Sequence, residues 1–245
     1  MADYLYDGTF EGFLCCVYAH YYNEKATGIF QKEHYVPNLI NKAYEVQTDA
    51  TKAVKVYDAI EGKISKHDIK RVYRVFLSSI EDKEVKLLDY IVLGFKHGSK
   101  IRLLHGKSPV FDVQQIERKV SFEVHRLLGL IRFSVLQGDI LYAPIEPDHD
   151  VCELLAEHFC DRFKNDPFII HDKKRSKALI ARNGDFYISE FTSFDLPAFS
   201  DDENEYQKLW KNYFEVIAIK ERTNPRCQKN FMPIRYWKNL TEMNV

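Results

Sequence analysis

Val120–Asp150, VSFEVHRLLGLIRFSVLQGDILYAPIEPDHD, changes its periodicity twice, and the fold class follows from how it does so. Val113, Ile116, Val120, Val124 and Leu127 recur at helical spacing, which predicts an amphipathic helix up to Gly129. Arg118, Phe122 and His125 share a neighbouring face of it. Gly129 suits the position after a helix, because glycine turns left-handed without a Cβ penalty. The period then drops to that of strands. Ile131, Phe133 and Val135 alternate with Arg132 and Ser134, and Leu141, Ala143 and Ile145 alternate with Tyr142 and Pro144. Gln137-Gly138-Asp139 between them predicts a hairpin. A loop of those three residues pairs Leu136 with Ile140 and sets apolar residues opposite one another. A two-residue loop sets Ile131 against Glu146 and mixes the faces, so the first register is preferred. It places Arg132 and Glu146 diagonally on the non-core face, within reach of a salt bridge.

Pro147-Asp148-His149-Asp150 then opens a helix whose stripe is Cys152, Leu155, Ala156, Phe159, Cys160 and Phe163. Asp148 or Asp150 is the expected N-cap. A strand end and a helix start meet here and present Glu146, Asp148 and His149 at one rim. Leu154, His158 and Arg162 form a second stripe, with His158 expected to be partly buried and hydrogen-bonded.

The chain has 245 residues, 45% of them hydrophobic, enough for one large domain or two lobes. A net charge of -1 excludes a global basic field, so any nucleic-acid contact must come from a local patch. There is no apolar run of membrane-spanning length and no signal peptide. The five cysteines lack paired spacing and read as reduced thiols of a cytoplasmic protein. No P-loop, dinucleotide fingerprint, GxSxG or HExxH occurs, and His149 and His158 with Asp148 match no common metal spacing, so no cofactor or metal is expected.

Elsewhere, Asp3–Tyr6 reads as a short strand, Asp7-Gly8-Thr9 as a turn and cap, and residues 27–37 as loop. Helical patterns cover 50–60, 65–79 and 84–97, with Gly98 ending the third. Phe168–Ile170 is a buried strand, and Asn183-Gly184 predicts a hairpin pairing Arg182 with Asp185. A last helix carries Tyr206, Leu209, Trp210, Tyr213, Phe214 and Ile217 and is expected to stop at Asn224-Pro225. The tail interleaves Arg222, Arg226, Lys229, Arg235 and Lys238 with Phe231, Tyr236 and Trp237. The expected class is α+β: a helical N-terminal part followed by a mainly antiparallel sheet with packed helices. Lobes 1–108 and 109–245, meeting near KIRLLHGKSP, or one single domain, both fit.

YLYDGTFEGFL, HRLLGLIRF, EPDHD, HFCDRF, IIHDKKR and MPIRYWKNL together resemble a bacterial family of uncharacterised proteins assigned to DNA repair or DNA metabolism. The resemblance runs from Tyr4 to Leu240. It implies a context: such proteins are typically encoded beside a radical S-adenosylmethionine protein of DNA modification or repair. Elsewhere a similar domain is fused to a uracil-DNA glycosylase-like domain, but this chain shows no glycosylase segment, so that activity is not carried over. The motifs hold His125, Arg126, Arg132, Glu146, Pro147, Asp148, His149, His158, Arg162, Asp172, Arg175, Pro233, Tyr236, Trp237 and Lys238, none with a transferable catalytic role.

Three functions follow as expectations. In the leading one the chain is a DNA-directed accessory partner of the radical enzyme, acting on single-stranded or damaged DNA. Arg126, Arg132, Arg162, Arg175 and Lys238 hold phosphates, Tyr236 and Trp237 stack on a base, and Glu146 and Asp148 orient the arginines. The alternative is an enzyme acting on a nucleotide or damaged base. There His125 or His149 is the general acid or base, Glu146 positions it and Arg132 stabilises an anion. The third is a protein-docking module without nucleic-acid contact. The leading two need the hairpin arginine, the acidic corner and the aromatic tail to share one cavity.

Overall fold

The computed structural model describes residues 2–37, 39–192, 194 and 196–243. They form two compact units, residues 1–121 and 122–245. The class is α+β, as the periodicities predict.

The first unit is built on a parallel sheet of order β2-β1-β3, with β1 (Ala2–Tyr6) at its centre. β1 is almost wholly buried, the pattern of a strand covered on both faces. α1 (Phe10–Tyr22), capped by Thr9, returns the chain to β2 (Ala26–Gln31). The expectation of loop over 27–37 therefore fails. β2 has little apolar alternation of its own and owes its form to hydrogen bonding with β1. β3 (Lys42–Glu45) is exposed throughout and carries no strand signal for the same reason. Asp3, 1% exposed, collects the crossing loops: its carboxylate accepts from Asn41 Nδ2 (2.9 Å), Thr27 Oγ1 (3.2 Å) and Tyr35 OH (3.2 Å).

Helices α2 (Ala50–Lys63), α3 (Lys66–Phe76) and α4 (Lys83–His97) follow, α2 and α3 capped by Asp49 and Ser65. Gly98, at φ 60°, ends α4 in a conformation few other residues adopt. Asp68, fully buried, accepts from Tyr90 OH (2.6 Å) and Arg71 Nη1 (2.9 Å). Arg71 Nε continues to Glu117 (2.6 Å). Asp68 thus joins α3 to α4, and Arg71 carries the network on to α5 (Ser108–Leu130), the helix that contains the division between the units.

The second unit carries a sheet of order β4-β5-β6-β7-β8. β4 (Ser134–Leu136) and β5 (Ile140–Ile145) take the expected register, Leu136 opposite Ile140 and Val135 opposite Leu141. The outer pairs, Phe133 with Ala143 and Ile131 with Ile145, do not form. α5 runs through Gly129 instead of stopping there, Ile131 N–H closing its last turn on Leu127 O (3.0 Å), and β4 starts only at Ser134. Phe133 instead packs its ring against Phe159, Phe163 and Phe168.

β5 pairs in parallel with β6 (Phe168–Asp172) through α6 (Cys152–Arg162). Leu141 N–H points to the β6 side, so Pro144 faces the side where β4 has already ended and its missing N–H costs no ladder bond. β7 (Lys177–Arg182) and β8 (Asp185–Glu190) complete the sheet, Arg182 opposite Asp185, with Asn183 and Gly184 both at positive φ as the turn requires. α7 (Glu203–Ile217) ends well before Asn224-Pro225. That dipeptide opens the next helix instead of stopping the last one: Asn224 caps α8 (Pro225–Phe231), whose first residue needs no N–H donor. The tail closes in helical turns at Ile234–Asn239 and Thr241–Met243.

Asp68→Ala removes the acceptor shared by Tyr90 and Arg71 and should cost roughly 3 kcal/mol of first-unit stability, since it strands buried donors. Tyr90→Phe should cost about 1 kcal/mol. Urea unfolding of the two variants against the parent checks the ratio.

Candidate functional site

Buried and charged side chains from several elements hold the corner between β5 and α6. Glu123, on α5 and 3% exposed, accepts from Asp148 N–H (2.9 Å) and His149 N–H (2.7 Å). The same carboxylate accepts from Tyr236 OH (2.8 Å), and Arg235 Nη2 lies 3.6 Å away. Arg175 reaches the other side, donating to Pro147 O (3.2 Å), Asp148 O (2.6 Å) and the buried Asp172 (2.9 Å). Asp148 pairs with Arg235 (3.1 Å), Asp150 with Lys177 and Glu146 with Lys238.

α6 accordingly lacks the expected aspartate cap. Its N-cap is Val151 without a side-chain bond, because Asp148 and Asp150 are drawn to cations instead. The expected Arg132–Glu146 bridge is also absent. With α5 extended, Arg132 lies before β4 and closes the helix end, donating to Gly129 O (3.0 Å) and Ile131 O (3.3 Å). Its other nitrogens grip Glu242 (2.7 Å), which also accepts from Trp210 Nε1 (2.9 Å). The guanidinium carbon sits 5.6 Å from the Trp210 ring centroid.

The tail therefore lies on the hairpin end and on the acidic corner, through Arg132–Glu242 and through Arg235, Tyr236 and Lys238. These contacts neutralise charge. A phosphate at Arg132, Arg175 or Lys238 must compete with a carboxylate already there. Tyr236 is 3% exposed and offers no face to a base; its OH serves Glu123. Trp237 is half-buried and donates Nε1–H to Met232 O (2.8 Å). Arg126 and Arg162 carry no ion pair among the described residues. Arg126 donates weakly to Asn230 O (3.4 Å), and Arg162 is exposed beside the Phe163 ring.

The proposed acid–base residues do not share partners. His125 is exposed, and among the described residues makes no hydrogen bond. His149 is 8% exposed at the corner, while Glu146 and Arg132 are held by Lys238 and Glu242. His158 is exposed, not partly buried, and stands edge-on to Phe159. Burial pushes the Cys152 thiol up to about 12, so it holds no thiolate near neutral pH.

Glu123 is the residue that the sequence reading missed. A signal existed: Val120, Glu123 and Leu127 lie at i, i+3 and i+7, so a carboxylate occupies a core position. His171, 2% exposed on β6, was missed too; its Nδ1 lies 2.9 Å from Tyr142 OH.

Glu123→Ala should cost roughly 3–5 kcal/mol, because two main-chain donors and the Tyr236 hydroxyl lose their acceptor in a buried site. It should also release the chain beyond Met232 to protease, which limited proteolysis reads. Burial, aided by the Arg175 and Arg235 charges and opposed by Glu123 and Asp148, holds the His149 imidazole below its usual 6.5. Its contribution to stability is therefore complete above 6.5 and declines as pH falls below that value. His149→Gln should flatten the urea midpoint of the second unit across that window.

No curated protein matches the chain. Among solved structures it is similar to a pGpG-specific phosphodiesterase, PggH from Vibrio cholerae, at 8% identity and a TM-score of 0.35, covering 89% of this chain and 100% of that one. That likeness is too distant to bear on the activity. Residues 81–242, which include the corner and the tail through Glu242, match the family described as a domain of unknown function, DUF4130, and the protein belongs to that family.

Proposed function

We propose that the chain is a DNA-directed accessory protein of DNA repair or DNA metabolism, working beside a radical S-adenosylmethionine enzyme. The resemblance supplies the setting and the partner. One observation carries the DNA contact. Lys220, Arg222, Arg226 and Lys229 are exposed, and with Arg126 they form no ion pair among the described residues. Phe231, 80% exposed, closes the same segment, and Arg126 reaches Asn230 beside it. Cations left unneutralised next to a bare aromatic ring suit a single strand, whose phosphates need charge and whose bases need a stacking surface. The phosphate-holding role thus rests on Arg126 and the 220–229 cations, with Arg162 in support. Arg132 holds the end of α5 and Glu242, Arg175 and Lys238 hold the corner, and Phe231 replaces Tyr236 as the stacking ring.

A labelled single-stranded oligonucleotide should bind at low salt and dissociate as salt rises, read by fluorescence anisotropy. Replacing Arg226 and Lys229 together by Ala should lower the slope of log affinity against log salt by about 1.4, two single-strand phosphate contacts. Phe231→Ala should cost about 1–3 kcal/mol of binding. Arg132→Ala should lower stability and leave that slope unchanged. Absence of binding to single-stranded, duplex and damaged DNA at low salt would remove the DNA contact. Co-purification with the radical enzyme in that case would favour the docking module.

A further inference from the structure

Helix α7 is fastened to the fold by its polar edge. Glu203, buried at its start, accepts from Val135 N–H (2.7 Å) and from Gln207 Nε2 (2.8 Å), and Trp210 Nε1 donates to Glu242 (2.9 Å). The apolar stripe read from the sequence has the spacing of a core-facing helix, yet it is open. Tyr206, Leu209, Tyr213, Val216 and Ile217 recur at i, i+3, i+7, i+10 and i+11, which is one face of the helix, and each is between 54% and 75% exposed. Together they leave on the order of 600 Å² of apolar surface uncovered, the upper end of what a monomer leaves in one patch. That is most of the ~800 Å² that one side contributes to a standard interface.

The charges at the two ends of the stripe select what covers it. Asp201, Asp202 and Glu205 crowd the N-terminal end, and Asp202, the N-cap, makes no side-chain cap bond. Just past the C-terminal end come Lys220 and Arg222, with Glu221 between them. Among the described residues none of these end groups forms an ion pair. At helical spacing Lys208 and Glu215 fall on the side away from the stripe. The stripe thus has an acidic end and an end with net positive charge. A second copy lying antiparallel presents the same stripe with its ends exchanged. Acids then meet cations at both ends, and Tyr206 of each copy faces Val216 and Ile217 of the other, about a two-fold axis beside Leu209 and Tyr213. A parallel arrangement sets acid against acid and aligns the helix dipoles. A lipid surface is disfavoured, because residues 201–217 carry Asp201, Asp202, Glu203, Glu205 and Glu215 against Lys208 and Lys211 alone.

We propose that the chain forms an isologous dimer through α7, two copies of the helix packed antiparallel with the apolar stripe as core and the charged ends as rim. The dimer needs no nucleic acid and stands apart from the DNA contact. Arg226 and Lys229, the cations replaced in that test, lie further along the chain.

Sedimentation equilibrium of the full chain tests it. The mass should rise from 28.9 kDa toward twice that value with roughly micromolar affinity. Leu209→Glu and Tyr213→Glu, both at exposed positions, should each weaken association by about tenfold or more and leave the far-ultraviolet dichroism intact. Asp201→Lys with Asp202→Lys should weaken it by about 2- to 30-fold, since each exposed pair is made twice, and so should Lys220→Glu with Arg222→Glu. All four substitutions in one chain should restore association. Loss of structure does not produce such a recovery, and parallel pairing does not predict it. A mass of 28.9 kDa up to roughly 100 μM, a hundredfold above that affinity, would overturn the proposal. So would a dimer that Leu209→Glu and Tyr213→Glu leave intact, or failure of the fourfold variant to recover. Binding of the monomeric chain to anionic vesicles, lost in Leu209→Glu, would replace the second copy by a lipid surface.

Discussion

A single carboxylate decides the shape of the second unit. Glu123 accepts from two consecutive main-chain N–H groups, Asp148 and His149, that no strand or helix satisfies. Both lie at a place where β5 has ended and α6 has not begun. Buried donors without acceptors cost roughly 1–3 kcal/mol each. The carboxylate removes that cost at the corner and in turn needs donors of its own. Tyr236 supplies one and Arg235 a nearby positive charge. The tail is therefore part of the folded corner, because the acid that shapes the corner is buried under it.

The remaining charges follow the same logic. Arg175 would be an isolated guanidinium without Asp172 and two carbonyl oxygens, and Arg132 would be one without Glu242 and the end of α5. Each pair holds together parts distant in sequence, which gives such pairs a role in fixing one arrangement as well as a share of stability. Glu242 illustrates the balance. Burial raises the cost of its charge, yet hydrogen bonds from Arg132 and Trp210 prevail and hold its carboxyl below the usual range.

The sequence revealed what depends on local pattern. The Leu136–Ile140 register and the Asn183-Gly184 turn were legible, because period-two alternation and paired positive-φ residues leave few alternatives. β2 and β3 were hidden, since edge strands such as Ala26–Gln31 are specified by their partner and not by their own alternation. The Gly129 stop failed because Leu127, Leu128 and Leu130 favour helix around a glycine that costs only ~1 kcal/mol. At the site, the tail's proximity to the corner was anticipated, while the pairings were not. Arg132, Glu146, Asp148 and Lys238 were singled out as charged residues, but which acid takes which base depends on tertiary approach, and Glu242 was not visible as a partner. Glu123 was legible in principle, as a charge on an apolar stripe.

The pairings divide the tail into two parts of different character. From Arg235 to Glu242 it is pinned by ion pairs, by the Tyr236 hydroxyl and by the buried Leu240. From Ala218 to Phe231 no residue is buried. Helix α8 there is short and depends on its Asn224 cap, and a seven-residue helix alone in water is not stable. Local stability must therefore fall between the pinned part and the segment before it. That weaker segment is where the unneutralised cations gather. On the proposed DNA contact, ordering it against an anion has an entropic cost that reduces affinity, and the same looseness would let it follow the irregular path of a single strand. Cations fixed by carboxylates, as at Arg132 and Arg175, can do neither, because their geometry is already committed to the fold.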